Sequence, residues 1–306
     1  SITALADFIY RPPARPPIWG RSEIVGSHLL PHPQGTLPDE PAYQADMMNL
    51  FLVVEIGDHH VTLLDGDRME PIHRFPSRYA LHGGPKYSPD GRYVYFGSRD
   101  GWITKYDLYN LKVVAEVRAG INMRNIAISA DGDYVMAANY LPHTLVLFDA
   151  GNLELMDIIP VENSAGESSR VSAVYAAPPR NSFIAALKDI PEAWEISVQD
   201  GNANVRRMQT DTWLDDFFFD PGYDHLIGAA RDGKHGVVIN LDTGKTVADL
   251  PLPGMPHLGS GITWEYQGTR VMATPHFRTF RSQQGQGPHH RQTDPGNRQN
   301  VTAGTG

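Results

Sequence analysis

The chain has 306 residues, 41% of them apolar, a formal net charge of −9 and no cysteine. That length holds one large or two ordinary domains with a real core, and the acidic balance argues against a nucleic-acid surface, which needs clustered Lys and Arg. The missing thiol excludes disulfides, cysteine nucleophiles, thiolate metal sites and Cys-x-x-Cys-His haem attachment within these residues, and no apolar run approaches the about 18 residues of a membrane span.

Ser1 to Tyr10 places apolar residues at 2, 5, 8 and 9, the spacing of a helix, with Ser1 or Thr3 as its cap. The start shows no signal-peptide pattern and is expected to be a cut end. RPPARPPIWG follows, a stiff extended linker that its four prolines keep out of a helix. The chain stays rich in Pro, His and Gly to Asp46, so residues 1–46 are expected to be the end of a preceding domain plus a connector.

Strands begin at Met47, with NLFLVVEIGDHHVTLLDGD reading as two strands around Gly57-Asp58. From Tyr79 to Asp149 one unit occurs twice: a polar loop, an apolar run, a Ser-x-Asp-Gly turn, an alternating strand, a turn, and a strand ending in Asp. Ser88 to Ser129 is 41 residues and Asp107 to Asp149 is 42. Closing acidic residues at Asp65, Asp107, Asp149, Glu195 and Asp242 extend the repeat with spacings of 42, 42, 46 and 47. Several short strands per about 40 to 45 residues are the signature of a β-propeller blade, whereas a β-sandwich has no reason to repeat at this interval. The fold expected is all-β: a partial β-propeller of about five blades over 47–276, cut from a larger ring because an open arc leaves sheet faces bare. Residues 277–306 are nearly devoid of apolar side chains and are expected to be a disordered or out-of-frame tail.

In a propeller the loops entering the inner strands converge on one end of the channel. Equivalent loop positions hold His82, Arg124, Arg170, Asp215 and His257: two imidazoles, two guanidiniums and a carboxylate around one axis. Arginine forks bind carboxylates, and neutral imidazole ligates iron or zinc, so the set points to an anionic ligand carrying a metal. Gly83 and Gly84, and the glycines around His257, are expected to let backbone approach a flat ligand. Each histidine has a plainer alternative as a hydrogen-bonded surface or core residue. Arg99 and Lys188 lie at strand ends one turn away, where a blade-edge salt bridge is the alternative role. Tyr140 either packs or donates to a ligand. His59-His60 and His289-His290 are adjacent pairs whose members face opposite sides of a strand, and the triple Phe at 217–219 reads as a buried strand. No nucleophile motif, phosphate loop, HExxH or EF-hand pattern is present.

ALHGGPKYSPDGRYVYFGSRDGWITKYDLYNLKVVAEVRAGINMRNIAIS resembles the haem d1-binding, eight-bladed propeller of the cytochrome cd1 nitrite reductase family, and LPGMPHLGSGITWE resembles the distal-side segment of that fold. The resemblance implies that His82 is the proximal ligand of haem d1 iron. It assigns Arg99, Arg124, Arg170 and Lys188 to the cofactor, lines the pocket with Tyr140, and makes His257 one of two distal histidines. The other would fall in LDDFFFD, where this chain has Asp215. ALKDIPEAWEIS, LDDFFFD and GMPHLGSGITWEYQG look closer to the dihydro-haem d1 dehydrogenase branch of the family. That branch implies oxidation of a propionate side chain to the acrylate, with His257 as general base and electrons leaving through the iron to haem c in an upstream domain. It also implies a periplasmic location, a periplasmic electron acceptor and nitrite reductase as recipient of the pigment. The alternatives are a nitrite reductase in which Asp215 fills the missing role, and a non-catalytic pigment carrier or interaction propeller.

Overall fold

Strict alternation of side chains along short strands builds the molecule. The computed structural model describes residues 19–252 and 254–277. Its first sheet has three strands, β1 (Leu50–Glu55), β2 (His60–Asp65) and β3 (Glu70–Pro76). Four four-stranded sheets follow. The second contains β4 (Lys86–Tyr87), β5 (Tyr93–Gly97), β6 (Trp102–Asp107) and β7 (Lys112–Arg118). The third contains β8 (Asn122–Ile128), β9 (Tyr134–Leu141), β10 (Thr144–Asp149) and β11 (Leu155–Pro160). The fourth contains β12 (Val171–Ala177), β13 (Ser182–Leu187), β14 (Glu192–Gln199) and β15 (Asn202–Gln209). The fifth contains β16 (Leu214–Phe219), β17 (His225–Ala230), β18 (Gly236–Asn240) and β19 (Lys245–Leu250). Two short ladders come last, β20 (Met255–Pro256) with β23 (His276–Phe277) and β21 (Ile262–Tyr266) with β22 (Thr269–Ala273).

Every four-stranded sheet is an antiparallel meander in chain order, which is a propeller blade. The all-β propeller expected from the repeat is the fold observed. Apolar clusters fill the gaps between consecutive sheets, so the second, third and fourth sheets are buried on both faces. On β9, Val135 and Ala137 pack toward the second sheet while Met136 and Ala138 pack toward the fourth. On β13, Phe183 and Ala185 face the third sheet while Ile184 and Ala186 face the fifth. The triple Phe is indeed interior: Phe217 and Phe219 are buried in the last of these gaps.

The repeated turns do local work. In Ser88-Pro-Asp-Gly91 and Ser129-Ala-Asp-Gly132 the serine hydroxyl donates to the aspartate and accepts the N–H of Tyr93 or Tyr134 at 2.9 Å. The glycines have φ of 72° and 81°, where a side chain is strained. Asp65, Asp107 and Asp149 close their blades by accepting backbone N–H groups of the following turn. Glu195 does not close the fourth sheet in this way. It lies inside β14, which runs on to a two-residue turn at Asp200-Gly201 with φ of 49° and 75°. A longer hairpin replaces the Asp-capped turn, and in the fifth sheet Asn240, not the expected Asp242, caps the turn by accepting Thr243 N–H at 2.9 Å. Glu195 instead binds Arg180, Ser182 and Arg206.

The segment before β1 is more ordered than its composition predicts. A seven-residue helix, α1 (Arg21–Ser27), buries Ile24 to 1% exposure against the second and third sheets. Leu29 then exchanges backbone hydrogen bonds with Glu116 at 2.8 and 2.9 Å, covering the outer edge of β7. One buried residue in a single short helix leaves no periodicity to detect. The helix expected over 1–10, most of the proline-rich linker and the tail beyond 277 lie outside the described residues. Among the described residues no helix is long and apolar enough to cross a membrane.

Adjacent blades are also clipped by polar groups. Asn125, 3% exposed, donates to Val174 O at 2.7 Å and accepts from Val174 N–H at 3.0 Å. Asn125→Ala orphans both buried backbone groups, which should cost about 2 kcal/mol and lower the urea midpoint followed by circular dichroism. An unchanged midpoint would contradict this role.

Candidate functional site

The inner strands β8, β12 and β16 each carry a one-residue bulge at the same point of their ladder. The residues left out of register are Arg124, Ser172 and Asp215. A bulge re-aims one side chain without ending the strand. In the second sheet, the Leu81–Ser98 bridge and the bond from His82 N–H to Gly97 O (2.9 Å) place His82 at the entrance to β4. His82, Arg124 and Asp215 therefore occupy corresponding places, but Ser172 stands where the repeat predicted Arg170. The Glu162–Ser168 hairpin precedes β12, so equal spacing falls two residues short and Arg170 sits just outside the strand.

A chain of hydrogen bonds threads the bulges. His82 Nδ1 donates to Arg124 O at 2.7 Å, Arg124 Nε donates to Ser172 O at 2.8 Å, and Ser172 Oγ donates to Leu214 O at 2.6 Å. A carbonyl only accepts, so Nδ1 of His82 carries the proton and Nε2 carries the lone pair. Burial, then the charges of Arg99 and Arg124, push the His82 pKa down to about 4. The ring stays neutral at ordinary pH, as a metal-binding imidazole must. The His257 charge contributes to the same shift, which puts both imidazoles within one electrostatic field.

Tyr140, on β9, lies among cations. Arg99, Arg170 and Lys188 place their charged groups 5.6, 5.5 and 5.5 Å from its ring centroid. Arg170 forks onto Asp189 at 2.9 and 2.7 Å, and that bond holds the Asp189 pKa down to about 2. Lys188 is ion-paired with Asp215 across the gap between sheets, the blade-edge role weighed for it above. Arg99 and Arg124, in contrast, have no carboxylate partner among the described residues. Burial, and then the neighbouring Arg124, push the Arg99 pKa down. Two half-buried guanidiniums that repel each other mark a place built for an anion.

His257 follows β20 with Nδ1 3.1 Å from Asp216 Oδ2. Asp216 is 4% exposed and is held by Gly259 N–H (3.0 Å), Phe217 N–H (3.0 Å) and the Tyr175 hydroxyl (3.1 Å). Burial works to raise the Asp216 pKa, but the bonds from His257 and Gly259 outweigh it and the net shift is downward. The bond to Asp216 raises the His257 pKa. The carboxylate that serves His257 is thus Asp216, and Asp215 serves Lys188. Sequence reasoning missed Asp216, although a second acid within a Phe-rich strand has to find a buried partner. Two of the glycines have a packing task as well. A Cβ on Gly83 (φ 89°) would lie 2.6 Å from the Asn125 Cβ, and one on Gly259 would lie 1.9 Å from the Tyr175 hydroxyl. Gly83 and Gly259 thus admit neighbouring protein.

Beside His82 lies a cavity of about 240 Å³ walled by Val54, Ile56, Leu81, Pro85 and Phe96. Among the described residues no three His, Asp or Glu side chains converge to hold a metal ion. A metal bound to His82 must bring most of its own ligands. Neutral imidazole, two unmatched guanidiniums and a His–Asp pair fit an iron tetrapyrrole with peripheral carboxylates. Asp216→Asn should lower the His257 pKa measured by NMR titration, since the carboxylate is the largest cause of its rise; an unaltered titration would break the pairing.

The chain as a whole is similar to known proteins. The family described as Cytochrome D1 heme domain matches residues 45–293. A dihydro-heme d1 dehydrogenase of Pseudomonas aeruginosa is 58% identical over 275 residues, covering 90% of this chain and 56% of that protein. A nitrite reductase of Stutzerimonas stutzeri is 26% identical over 295 residues, covering 90% of this chain and 51% of that protein. The solved structure of dihydro-heme d1 dehydrogenase NirN in complex with DHE superimposes with a TM-score of 0.84 at 58% identity, covering 90% of this chain and 59% of that one. The chain spans a little over half the length of these relatives.

Proposed function

Because the chain belongs to the Cytochrome D1 heme domain family, we propose that it binds haem d1 or its dihydro precursor at the propeller axis. We further propose that the protein oxidises a propionate side chain of that pigment to the acrylate, the last step of haem d1 biosynthesis. The observation that supports this is the grouping, within one electrostatic field, of neutral His82, of Arg99 and Arg124 with no carboxylate among the described residues, and of the His257–Asp216 pair. Its 58% identity to a dihydro-heme d1 dehydrogenase supports the same reaction.

The conversion of –CH2–CH2– to –CH=CH– releases two electrons and two protons. The iron macrocycle, when bound, supplies the route by which the electrons leave. His82 would hold the iron through Nε2. Arg99 and Arg124 would take the peripheral carboxylates as charge-assisted forks. Arg170 and Lys188 already carry Asp189 and Asp215, so they would shape the field around Tyr140 and reach a ligand carboxylate with the donors those pairs leave over. His257 would accept one of the two protons from the side chain, and the other would pass to solvent. With Nδ1–H directed at Asp216, the accepting atom is Nε2, and the buried carboxylate stabilises the imidazolium that results. A haem c domain as electron acceptor, nitrite reductase as recipient of the product and a periplasmic location complete the proposal. The alternative role as a nitrite reductase draws no support from Asp215, which Lys188 engages.

The test uses protein expressed from the complete gene, incubated with dihydro-haem d1 and an electron acceptor while the absorption spectrum is recorded. Wild type should convert the pigment to haem d1. His257→Ala should retain the pigment and convert it about 10²–10⁴-fold more slowly, the usual worth of a general base. Absence of conversion by wild type would sink the dehydrogenase assignment, and an unimpaired His257→Ala variant would remove the base from it.

A further inference from the structure

One residue holds both nitrogens of the His82 ring. The Arg124 carbonyl accepts from Nδ1 at 2.7 Å, and Arg124 Nη1 lies 2.9 Å from Nε2, donating to its lone pair. The same guanidinium is moored to the next blade through Nε and Ser172 O at 2.8 Å. A lone pair serves one partner at a time, so Nε2 cannot bind a metal while Nη1 occupies it. Arg124 is also one of the two guanidiniums at the axis with no carboxylate among the described residues.

We propose that Arg124 is a tethered cap on His82, drawn off Nε2 by a carboxylate of the arriving tetrapyrrole, so that axial ligation follows carboxylate capture. This rests on His82 being the iron ligand. A bond from guanidinium to neutral imidazole is single and has charge on one side only. A fork onto a carboxylate has charge on both sides and two bonds, so the exchange is downhill. The mooring at Ser172 keeps the side chain at the rim after Nη1 leaves. The cap makes the site selective for ordered, acidic ligands: a bare divalent ion or an esterified pigment arrives without the group that lifts it. Arg124 is then a positioning residue for ligation as well as a carboxylate binder.

The two roles separate in stopped-flow absorption, with haem d1 in its free-acid and methyl-esterified forms and His82→Ala as the baseline for axial ligation. Wild type should ligate the acid about tenfold or more faster than the ester, the worth of one charged hydrogen bond. In Arg124→Met the acid should lose that advantage, and the ester should ligate about tenfold faster than it does in wild type. Acceleration of the ester is the signature of a removed cap, because loss of a simple carboxylate binder speeds nothing. If Arg124→Met is misfolded by circular dichroism, Arg124→Gln takes its place with the same expectation. An ester rate in the variant equal to that of wild type overturns the cap and leaves His82 as ligand. Absence of any His82-dependent ligation of haem d1 by wild type overturns both.

Discussion

The hydrogen bonds that pass from bulge to bulge, from His82 to Arg124, to Ser172, to Leu214, are what the axial site depends on. Apolar faces hold consecutive blades together, but apolar contact is non-directional and tolerates sliding. Directional bonds at the inner ends, with the Asn125–Val174 clip beside them, set how far each blade is advanced relative to the next. Side chains far apart in sequence can then keep fixed positions around one axis. The bulges at Arg124 and Ser172 each provide both halves of the device, a carbonyl turned toward the preceding blade and a side chain turned toward the following one, whereas the bulged Asp215 turns its side chain back to Lys188.

Electrostatics then separates the two imidazoles. A chain of net charge −9 gathers Arg99, Arg170 and Lys188 around Tyr140 with Arg124 beside them, and two of the four have no carboxylate among the described residues. Burial and this excess charge keep His82 neutral, while buried Asp216 makes His257 the stronger base. Titratable neighbours whose environments push their proton affinities apart are a familiar sign of divided chemical labour. Here the division is between a group that offers a lone pair to a metal and a group that takes a proton.

The fold was open to inference because its signals are local. The Ser-x-Asp-Gly turns and the Asp-capped turns recur at nearly constant spacing, and each has a simple hydrogen-bonding reason. His82, Arg124 and His257 stand out by the same counting. Counting fails where one blade differs in a loop: the hairpin before β12 displaced Arg170 from the place that Ser172 takes, and the two-residue turn after β14 left Glu195 inside a strand. It also fails where a bulge decides between neighbours. Asp215 and Asp216 are adjacent, yet one meets Lys188 and the other meets His257, and only the break in register on β16 shows which is which. Helix α1 was invisible because one buried side chain makes no pattern.

The most direct test of the shared axial pocket is the electron paramagnetic resonance spectrum of the ferric haem d1-loaded protein. A low-spin signal with nitrogen axial ligation is predicted for wild type, lost in His82→Ala and restored by added imidazole. A signal that persists unchanged in His82→Ala would show that the iron is held elsewhere and would contradict the assignment of the site.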